Sequence, residues 1–430
     1  MTIKLSEDYL NTLIQWRRDF HQYPEPGWLE FRTSATIANL LEAWGFDLKV
    51  GKEIIAGERL GLPSQNEIDH FYQAAKLAGV STKWLEKMEG GYTGVIATLD
   101  SGKPGPTIAF RVDIDALPIT EASDVAHVPQ KRGFRSKIEG YMHACGHDSH
   151  ITIGLGLAEQ LMLHKEKLKG KIKIIFQPAE EGVRGGSAVA PSPLLDDIQY
   201  LCALHIGTGI AKGTFVAGSD GFLATSKYDV TFTGVAAHSG AFPEQGKNAL
   251  LASAQSVLAI HSLPAHSSGA SRVNVGTLNA GLGRNIVPSI ATMQVEVRGE
   301  TTEINDYYEQ QLLHIFQGAA QMYDVNVSYE KVGYAISIPS DIKLAKILAK
   351  TASHLDVPVI EYKNFKAGSE DATFLMKRVQ ENGGLACYSI MGTQLAAGHH
   401  NEYFDIDEED MLTAIEIWLN SVFQVYEEEN

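Results

Sequence analysis

Residues 172–182 read IKIIFQPAEEG, a short run rich in apolar and β-branched residues that ends in two adjacent carboxylates. Its length and composition predict a buried strand. Three more runs of this kind occupy residues 93–99, 107–113 and 201–206. Helical patterns, such as residues 8–20 and 147–165, alternate with the runs. The sequence therefore predicts an α/β sheet covered by helices on both faces, with its chemistry at the strand ends and in the loops after them.

The second half of the chain changes to amphipathic strands and two long helical patterns. Between residues 220 and 336 their order is β-α-β-β-α-β, which describes a split-βαβ, ferredoxin-like unit that can fold on an α/β host. From about residue 337 helix and strand recur, so the host sheet resumes. We therefore predict a main domain of residues 1–219 and 337–430 and an inserted smaller domain of residues 220–336.

Composition excludes several classes of protein. The 430 residues carry 36 Lys and Arg against 52 Asp and Glu, a net charge of −16, which repels nucleic acid and anionic membranes. No apolar run of about 18 residues and no secretory signal is visible, so a cytoplasmic protein without a membrane partner is expected. The 3 cysteines are too few for a disulfide framework, which favours reduced, buried or metal-binding thiols.

The densest group of reactive side chains is residues 143–150, HACGHDSH, beside the start of a predicted helix. Imidazoles, a thiol and a carboxylate are the groups that bind borderline transition metals, at distances of about 2.0–2.3 Å. The alternative interpretation is a polar loop in which Asp148 caps the helix. The number of such groups within eight residues favours a metal site instead.

Two adjacent carboxylates, Glu180 and Glu181, directly follow the buried strand. Their repulsion decreases if one binds a cation while the other stays free with a raised pKa, which suits the free one to accept a proton. A solvated acidic turn is the alternative interpretation of this pair. His205, after another apolar run, and the pair His399-His400 add further ligands. Together these groups suffice for two metal ions if the fold gathers the strand ends.

Longer motifs carry a resemblance to a known family. They are WRRDFHQYPEPGWLEFRT (16–33), AFRVDIDALPITE (109–121), MHACGHDSH (142–150), FQPAEEG (176–182), GVAAHSG (234–240), RNIVP (284–288) and HHNEYFD (399–405). Over nearly its full length the chain resembles the metal-dependent amidohydrolases, which include hippurate hydrolase, N-acyl amino acid amidohydrolases and indoleacetyl-amino acid hydrolases. The features most similar to hydrolases of p-aminobenzoyl-glutamate are the segment 51–91 and the blocks HIGTG (205–209), AGSEDAT (367–373) and GTQLAAGHHNE (392–402).

The resemblance implies a dinuclear metal site. The implied ligands are Cys145, His147, Glu181, His205 and His400. Cys145 is the bridging candidate, and Glu180 becomes the general base. The choice of His400 over His399 depends on aligning the Tyr-Phe pair that follows, so both histidines stay open at this point.

Other residues are implied to act around the metal ions. Asp113 and Asp115 match a family pattern and are interpreted as carboxylates that orient the ligands. His238 lies in the inserted domain, and the resemblance implies that it reaches the reacting carbonyl, often from a neighbouring protomer, to stabilise the oxyanion. A surface-loop histidine is the alternative. The implied grips for an anionic substrate are Arg284, Asn285 and Arg298; a structural role is the alternative for Arg298.

The resemblance thus implies a hydrolase of N-acyl amino acids, with p-aminobenzoyl-glutamate as the expected substrate. Two divalent cations are expected: the thiolate favours Zn²⁺, the other ligands admit Mn²⁺ or Co²⁺, and the family favours Mn²⁺. The inserted domain is expected to act as a lid or in dimerisation. A homodimer or a hetero-oligomer with a homologous chain is expected. The alternatives are a chain that is active only beside such a partner, a hydrolase of another N-acyl or aryl-acyl amino acid, and a structural zinc protein.

Overall fold

The computed structural model of the chain describes residues 2–365 and 368–429. Residue 367, the first of the AGSEDAT block, lies outside these ranges. The described residues form two compact units. The larger comprises residues 2–220, 339–365 and 371–429, and the smaller comprises residues 221–338 and 368–370.

The strands of the described chain alternate with helices over much of its length. The strands are β1 (Asp47–Val50), β2 (Val95–Asp100), β3 (Thr107–Asp113), β4 (Lys171–Gln177), β5 (Tyr200–Ile206), β6 (Phe215–Asp220), β7 (Ala224–Thr233), β8 (Ser271–Ala280), β9 (Ile290–Gly299), β10 (Asn326–Ala335), β11 (Val359–Asn364) and β12 (Leu385–Met391). The four runs predicted in the first half correspond to β2, β3, β4 and β5.

The helices vary from one turn to more than five. They are α1 (Glu7–Gln22), α2 (Phe31–Trp44), α3 (Gln65–Leu77), α4 (Thr82–Lys87), α5 (Val128–Arg132), α6 (His147–Leu163), α7 (Gly186–Val189), α8 (Ala249–His261), α9 (Thr302–Met322), α10 (Ile342–His354), α11 (Ala372–Glu381) and α12 (Asp410–Glu428). Among the described residues, none of these helices combines the length and the apolar character that a bilayer crossing requires.

The larger unit is built on a mixed eight-stranded sheet of order β1-β2-β4-β3-β5-β12-β6-β11. Within it, β4, β3, β5 and β12 are mutually parallel neighbours, whereas β1 and β2 pair antiparallel. Parallel strands end at the same edge, so β3, β4, β5 and β12 deliver the loops that follow them to one place. This confirms the predicted α/β architecture.

Helix α6 is buried along almost its whole length between the sheet and α12. Two glycines permit this close packing. A Cβ at Gly154 would lie 2.8 Å from Cε1 of Phe176, and one at Gly156 would lie 2.5 Å from Cδ1 of Ile415. The middle of α6 therefore packs closely against both the sheet and α12.

The smaller unit contains an antiparallel four-stranded sheet of order β10-β7-β9-β8. Helices α8 and α9 pack on this sheet around a core that includes Phe232, Val295 and Phe316. Its order β7-α8-β8-β9-α9-β10 is the predicted β-α-β-β-α-β pattern. Strand β9 begins at Ile290, two residues after Pro288, which has no N–H to give to a ladder. A role of this unit as a lid or in dimerisation stays a prediction.

The contact between α12 and the sheet gives a prediction on stability. Trp418 is fully buried, with its ring centroid 5.0 Å from that of Phe110. We expect Trp418→Ala to decrease the free energy of unfolding by about 3–5 kcal/mol, because it leaves a large cavity. Urea denaturation followed by far-ultraviolet circular dichroism measures this. Leu77→Ala is the control, since Leu77 is 88% exposed; equal midpoints for the two variants would contradict the prediction.

Candidate metal centre

The loop before α6 places a thiol and an imidazole close together. Gly146 has φ +91°, and a Cβ there would lie 2.8 Å from Cγ2 of Ile206. Only glycine combines that backbone conformation with this close approach. The turn at Gly146 separates Cys145 from His147, the first residue of α6, and both donor atoms face the same small space.

The first group of potential ligands is Cys145, His147 and His205, whose donor atoms lie within 4.8 Å of one another. Sγ of Cys145 is 3.4 Å from Nε2 of His205. Nδ1 of His205 donates to the carbonyl oxygen of Ile206 at 2.7 Å, which leaves the lone pair on Nε2. Burial lowers the pKa of His205 well below its usual range, so the imidazole is neutral, as a metal ligand must be.

The second group is Cys145, Glu181 and His400, again within 4.8 Å of one another. Nε2 of His400 lies 3.6 Å from Oε1 of Glu181. The backbone N–H of His400 donates to the carbonyl oxygen of Ala144, which fixes the late loop beside the thiol. Cys145 is common to both groups, and its role as a bridging ligand stays a prediction. Burial raises the pKa of the thiol, and a bound cation would favour the thiolate.

His399 also approaches the thiol. Its Nδ1 lies 3.6 Å from Sγ of Cys145, and its Nε2 accepts the N–H of Thr208 at 3.0 Å. Both adjacent histidines thus lie near the thiol, and His400 forms a ligand group with Cys145 and Glu181. The choice of His400 as the ligand stays a prediction.

The two adjacent glutamates are held by Asp115. Its carboxylate accepts the backbone N–H of Glu180 at 3.1 Å and that of Glu181 at 2.9 Å. Nε2 of His147 lies 3.9 Å from a carboxylate oxygen of each glutamate. Both side chains are close to the ligand groups, but only Glu181 shares a group with Cys145.

Asp113 is buried beside three cationic or imidazole side chains. It accepts Nη1 of Arg111 at 2.8 Å and Nδ1 of His150 at 2.5 Å. Burial by itself would raise the pKa of Asp113, but His147, His150 and Arg111 lower it well below its usual range. Nε2 of His150 accepts the N–H of Ile206, so both of its ring nitrogens are engaged. His150 thus links Asp113 to the end of β5, and its donor atoms also form a potential ligand group with Asp113 and His147. Its spacing of three from His147 on one helix face is the sequence signal for this contact.

A buried charge network behind α6 was not predicted. Asp148 accepts Nε of Arg17 at 2.8 Å and Nδ1 of His21 at 2.7 Å. Arg17 also binds Asp405, and His21 also binds Glu121. Burial opposes protonation of His21, but Asp148 and Glu121 raise its pKa to about 9. The network fixes the first turn of α6, and therefore His147, to α1.

Two buried imidazoles at the site make no hydrogen bond in the described structure. Neither ring nitrogen of His147 or of His143 has a hydrogen-bond partner among the described residues. Nδ1 of His147 is 3.3 Å from Asp115 but without hydrogen-bond geometry. Burial lowers the pKa of His143 to about 3, so it is neutral. Unsatisfied buried nitrogens are costly, and a cation beside His147 would provide the missing partner. The residues therefore fit a metal site.

The remaining predicted residues belong to the smaller unit. His238 is exposed, forms a bridge with Ile286, and its Nδ1 accepts the N–H groups of Gly240 and Ala241. Arg284 and Asn285 are exposed in the loop before β9. Arg298 is engaged in two hydrogen bonds of 3.0 Å with Glu296, which gives it a structural contact.

Comparison with known proteins decides the family. Residues 109–424 match the model of "Peptidase family M20/M25/M40". The chain belongs to this family. It is 49% identical over 421 residues to an indole-3-acetyl-aspartic acid hydrolase of Enterobacter agglomerans, covering 96% of each chain. It is 50% identical over 407 residues to one of the subunits of p-aminobenzoyl-glutamate hydrolase from Escherichia coli (strain K12), covering 94% of this chain and 93% of the relative.

A solved structure agrees with these relatives. The aminobenzoyl-glutamate utilization protein from Klebsiella pneumoniae superimposes with a TM-score of 0.84 at 43% identity. The match covers 97% of this chain and 98% of that protein. The family resemblance carried by the sequence motifs is therefore confirmed, and the chain is an amidohydrolase of the M20 family.

The contacts of Asp115 give a second prediction. Asp115→Asn keeps one oxygen acceptor and turns an NH₂ group toward the other backbone N–H. We expect the free energy of unfolding of the metal-free protein to decrease by about 1–3 kcal/mol. Urea denaturation in a chelator measures this loss without a contribution from metal. Asp100→Asn is the control, because the exposed Asp100 accepts a single backbone N–H, from Gly102; equal losses would contradict the assigned role.

Proposed function

We propose that the chain hydrolyses the amide bond of N-acyl amino acids and that p-aminobenzoyl-glutamate is its substrate. The observation that carries the proposal is the convergence of two ligand groups on one shared thiol, Cys145, next to a pair of glutamates. The two relatives of about 50% identity, one named for p-aminobenzoyl-glutamate and one for indole-3-acetyl-aspartate, support an aromatic acyl group on an acidic amino acid.

Two divalent cations fit the proposed site. Cys145, His147 and His205 would hold one, and Cys145, Glu181 and His400 would hold the other. When bound, such a pair polarises the substrate carbonyl and makes water acidic enough to be a nucleophile near neutral pH. One thiolate among imidazoles and a carboxylate admits Mn²⁺, Zn²⁺ and Co²⁺, and we propose Mn²⁺ or Zn²⁺.

Glu180 is the proposed general base. Its carboxylate lies 3.9 Å from Nε2 of His147, beside the proposed ligands, and unlike Glu181 it belongs to no ligand group that includes Cys145. Asp115 accepts the backbone N–H groups of both glutamates, which fixes the two consecutive peptides that carry them. Glu180 accepts a proton from the attacking water and later gives one to the leaving amine.

Residues of the smaller unit are proposed to bind the rest of the substrate. Nδ1 of His238 accepts backbone N–H groups, so its Nε2 carries the hydrogen of the neutral ring and can donate to the developing oxyanion. Arg284 forms no ion pair among the described residues, whereas Arg298 is already paired with Glu296. We therefore favour Arg284, with Asn285 beside it, as the grip for a substrate carboxylate.

The assembly of the protein is part of the proposal. A relative of 50% identity is named as one subunit of its enzyme. We therefore propose a homodimer or a hetero-oligomer with a homologous chain. A cytoplasmic location stays a prediction from the sequence.

A release assay tests the proposed function. The purified chain, loaded with Mn²⁺ or Zn²⁺, is incubated with p-aminobenzoyl-glutamate, indoleacetyl-aspartate, hippurate and N-acetyl-glutamate, and the freed amino acid is measured. We expect p-aminobenzoyl-glutamate to give the highest kcat/KM. The same panel is repeated after mixing with a homologous partner chain. Activity only in the mixture would support a chain that depends on its partner, and no hydrolysis in either case would refute the proposed function.

Variants of the two glutamates are expected to differ in their metal content. Glu180→Gln should keep two ions per chain and lower kcat by at least about 10²–10⁴-fold, because only the base is lost. Glu181→Gln should lower the metal content as well, because it loses an anionic ligand. Elemental analysis after gel filtration, together with steady-state kinetics, measures both effects. Near-normal turnover of Glu180→Gln would remove the proposed base.

A further inference from the structure

A loop of the 51–91 segment lies directly against the turn that carries the two glutamates. We call residues 56–62 the 56–62 loop. The N–H groups of Ala56 and Gly57 donate to the carbonyl oxygen of Ala188, just after the turn, at 3.0 and 2.8 Å. Nε1 of Trp28 donates to the carbonyl oxygen of Leu60 at 2.8 Å. The loop is thus hydrogen-bonded near both of its ends to other segments of the larger unit.

Arg184 joins the 56–62 loop to the glutamate turn itself. Its Nε donates to the carbonyl oxygen of Glu181 at 2.8 Å, and its Nη1 donates to the carbonyl oxygen of Gly61 at 2.9 Å. A planar guanidinium can make both bonds at once because its N–H groups diverge in fixed directions. A lysine ammonium in this place cannot reproduce that geometry.

The guanidinium occupies space that a glycine leaves open. A Cβ at Gly27 would lie 2.3 Å from Nη2 of Arg184 and 2.9 Å from Cα of Ala179. Gly27 therefore leaves the space that the arginine and the turn occupy. A larger residue there would displace both.

The turn also adopts a backbone conformation that needs support. Ala179 has φ +54° and Val183 has φ +61°, on either side of the glutamates. Residues with a Cβ disfavour this region, and a β-branched valine does so most strongly. Such conformations persist only where surrounding contacts hold them, and they cluster at functional sites. Asp115 holds the N–H groups of the turn, whereas Arg184 holds a carbonyl oxygen on its other side.

We propose that Arg184 is a positioning residue that couples the 56–62 loop to the Glu180–Glu181 turn, so that the geometry of both glutamates depends on that loop. The inference rests on the proposed function, because it assigns the turn to the general base and a metal ligand. It adds a specific role for the 51–91 segment, whose loop keeps the turn in its strained conformation through one guanidinium.

Variants of Arg184 distinguish the effect of its paired hydrogen bonds from the effect of its positive charge. Arg184→Lys keeps the positive charge near the glutamates but loses the paired hydrogen bonds to two carbonyl groups, and Arg184→Gln loses both the charge and the pair. The matched controls are Arg378→Lys and Arg378→Gln, since the partly exposed Arg378 donates to a surface carboxylate, that of Asp196. Hydrogen–deuterium exchange of the metal-loaded full chain gives a readout that does not require activity.

We expect faster exchange in both the 56–62 loop and residues 180–185 for Arg184→Lys and Arg184→Gln, and no change for the controls. With the best substrate of the panel, kcat should fall about 10- to 100-fold while KM changes little, because the turn is misplaced rather than the substrate site lost. The dissociation constant of Mn²⁺, measured by calorimetry, should rise because Glu181, a proposed metal ligand, is displaced with the turn.

Several outcomes would overturn the inference. Wild-type exchange and kcat in Arg184→Lys would show that charge alone matters. Faster exchange in the 56–62 loop with an unchanged turn would show that the two are not coupled. Should Arg184→Gln fail to fold, Arg184→Lys alone decides. Failure of the proposed function is distinguishable, since it would appear as an inactive wild-type chain whose exchange response to Arg184→Lys is still measurable.

Discussion

Burial of ionisable side chains at one edge of a parallel sheet is the constraint on which the rest of this structure depends. The carboxylates of Asp113, Asp115 and Asp148 and the ring of His147 are almost completely removed from water. Buried charges are tolerated only where each has a partner. The three aspartates find theirs in arginine, histidine and backbone N–H groups, whereas His147 has no hydrogen-bond partner among the described residues.

Different contacts around the site hold different segments of the chain. Asp148 and Arg17 hold the first turn of α6, and with it His147. Asp113 and His150 link β3 to the end of β5. His205 lies at that end of β5, with Nε2 3.4 Å from Sγ of Cys145. Since each contact fixes a segment rather than a single atom, the ligand positions follow from the way whole elements pack.

Some residues that support the site could not be predicted from the sequence, because their partners are distant along the chain. Arg17 contacts Asp405, and His21 contacts Glu121. Such pairs leave no local pattern, and burial of an arginine contradicts what its residue type alone suggests. Arg184 was likewise part of a glycine-rich stretch without an assigned role, because its acceptor on Gly61 becomes a neighbour only after folding.

The sequence by itself determined the α/β architecture, the β-α-β-β-α-β order of the smaller unit and the family, because strand composition, helical periodicity and long motifs are local properties. It also marked the cysteine, histidines and glutamates as potential ligands. Tertiary structure decided that Cys145 is common to two ligand groups and that both ring nitrogens of His150 make hydrogen bonds. Those facts depend on distances between residues far apart in sequence, which only the packing of parallel strand ends sets.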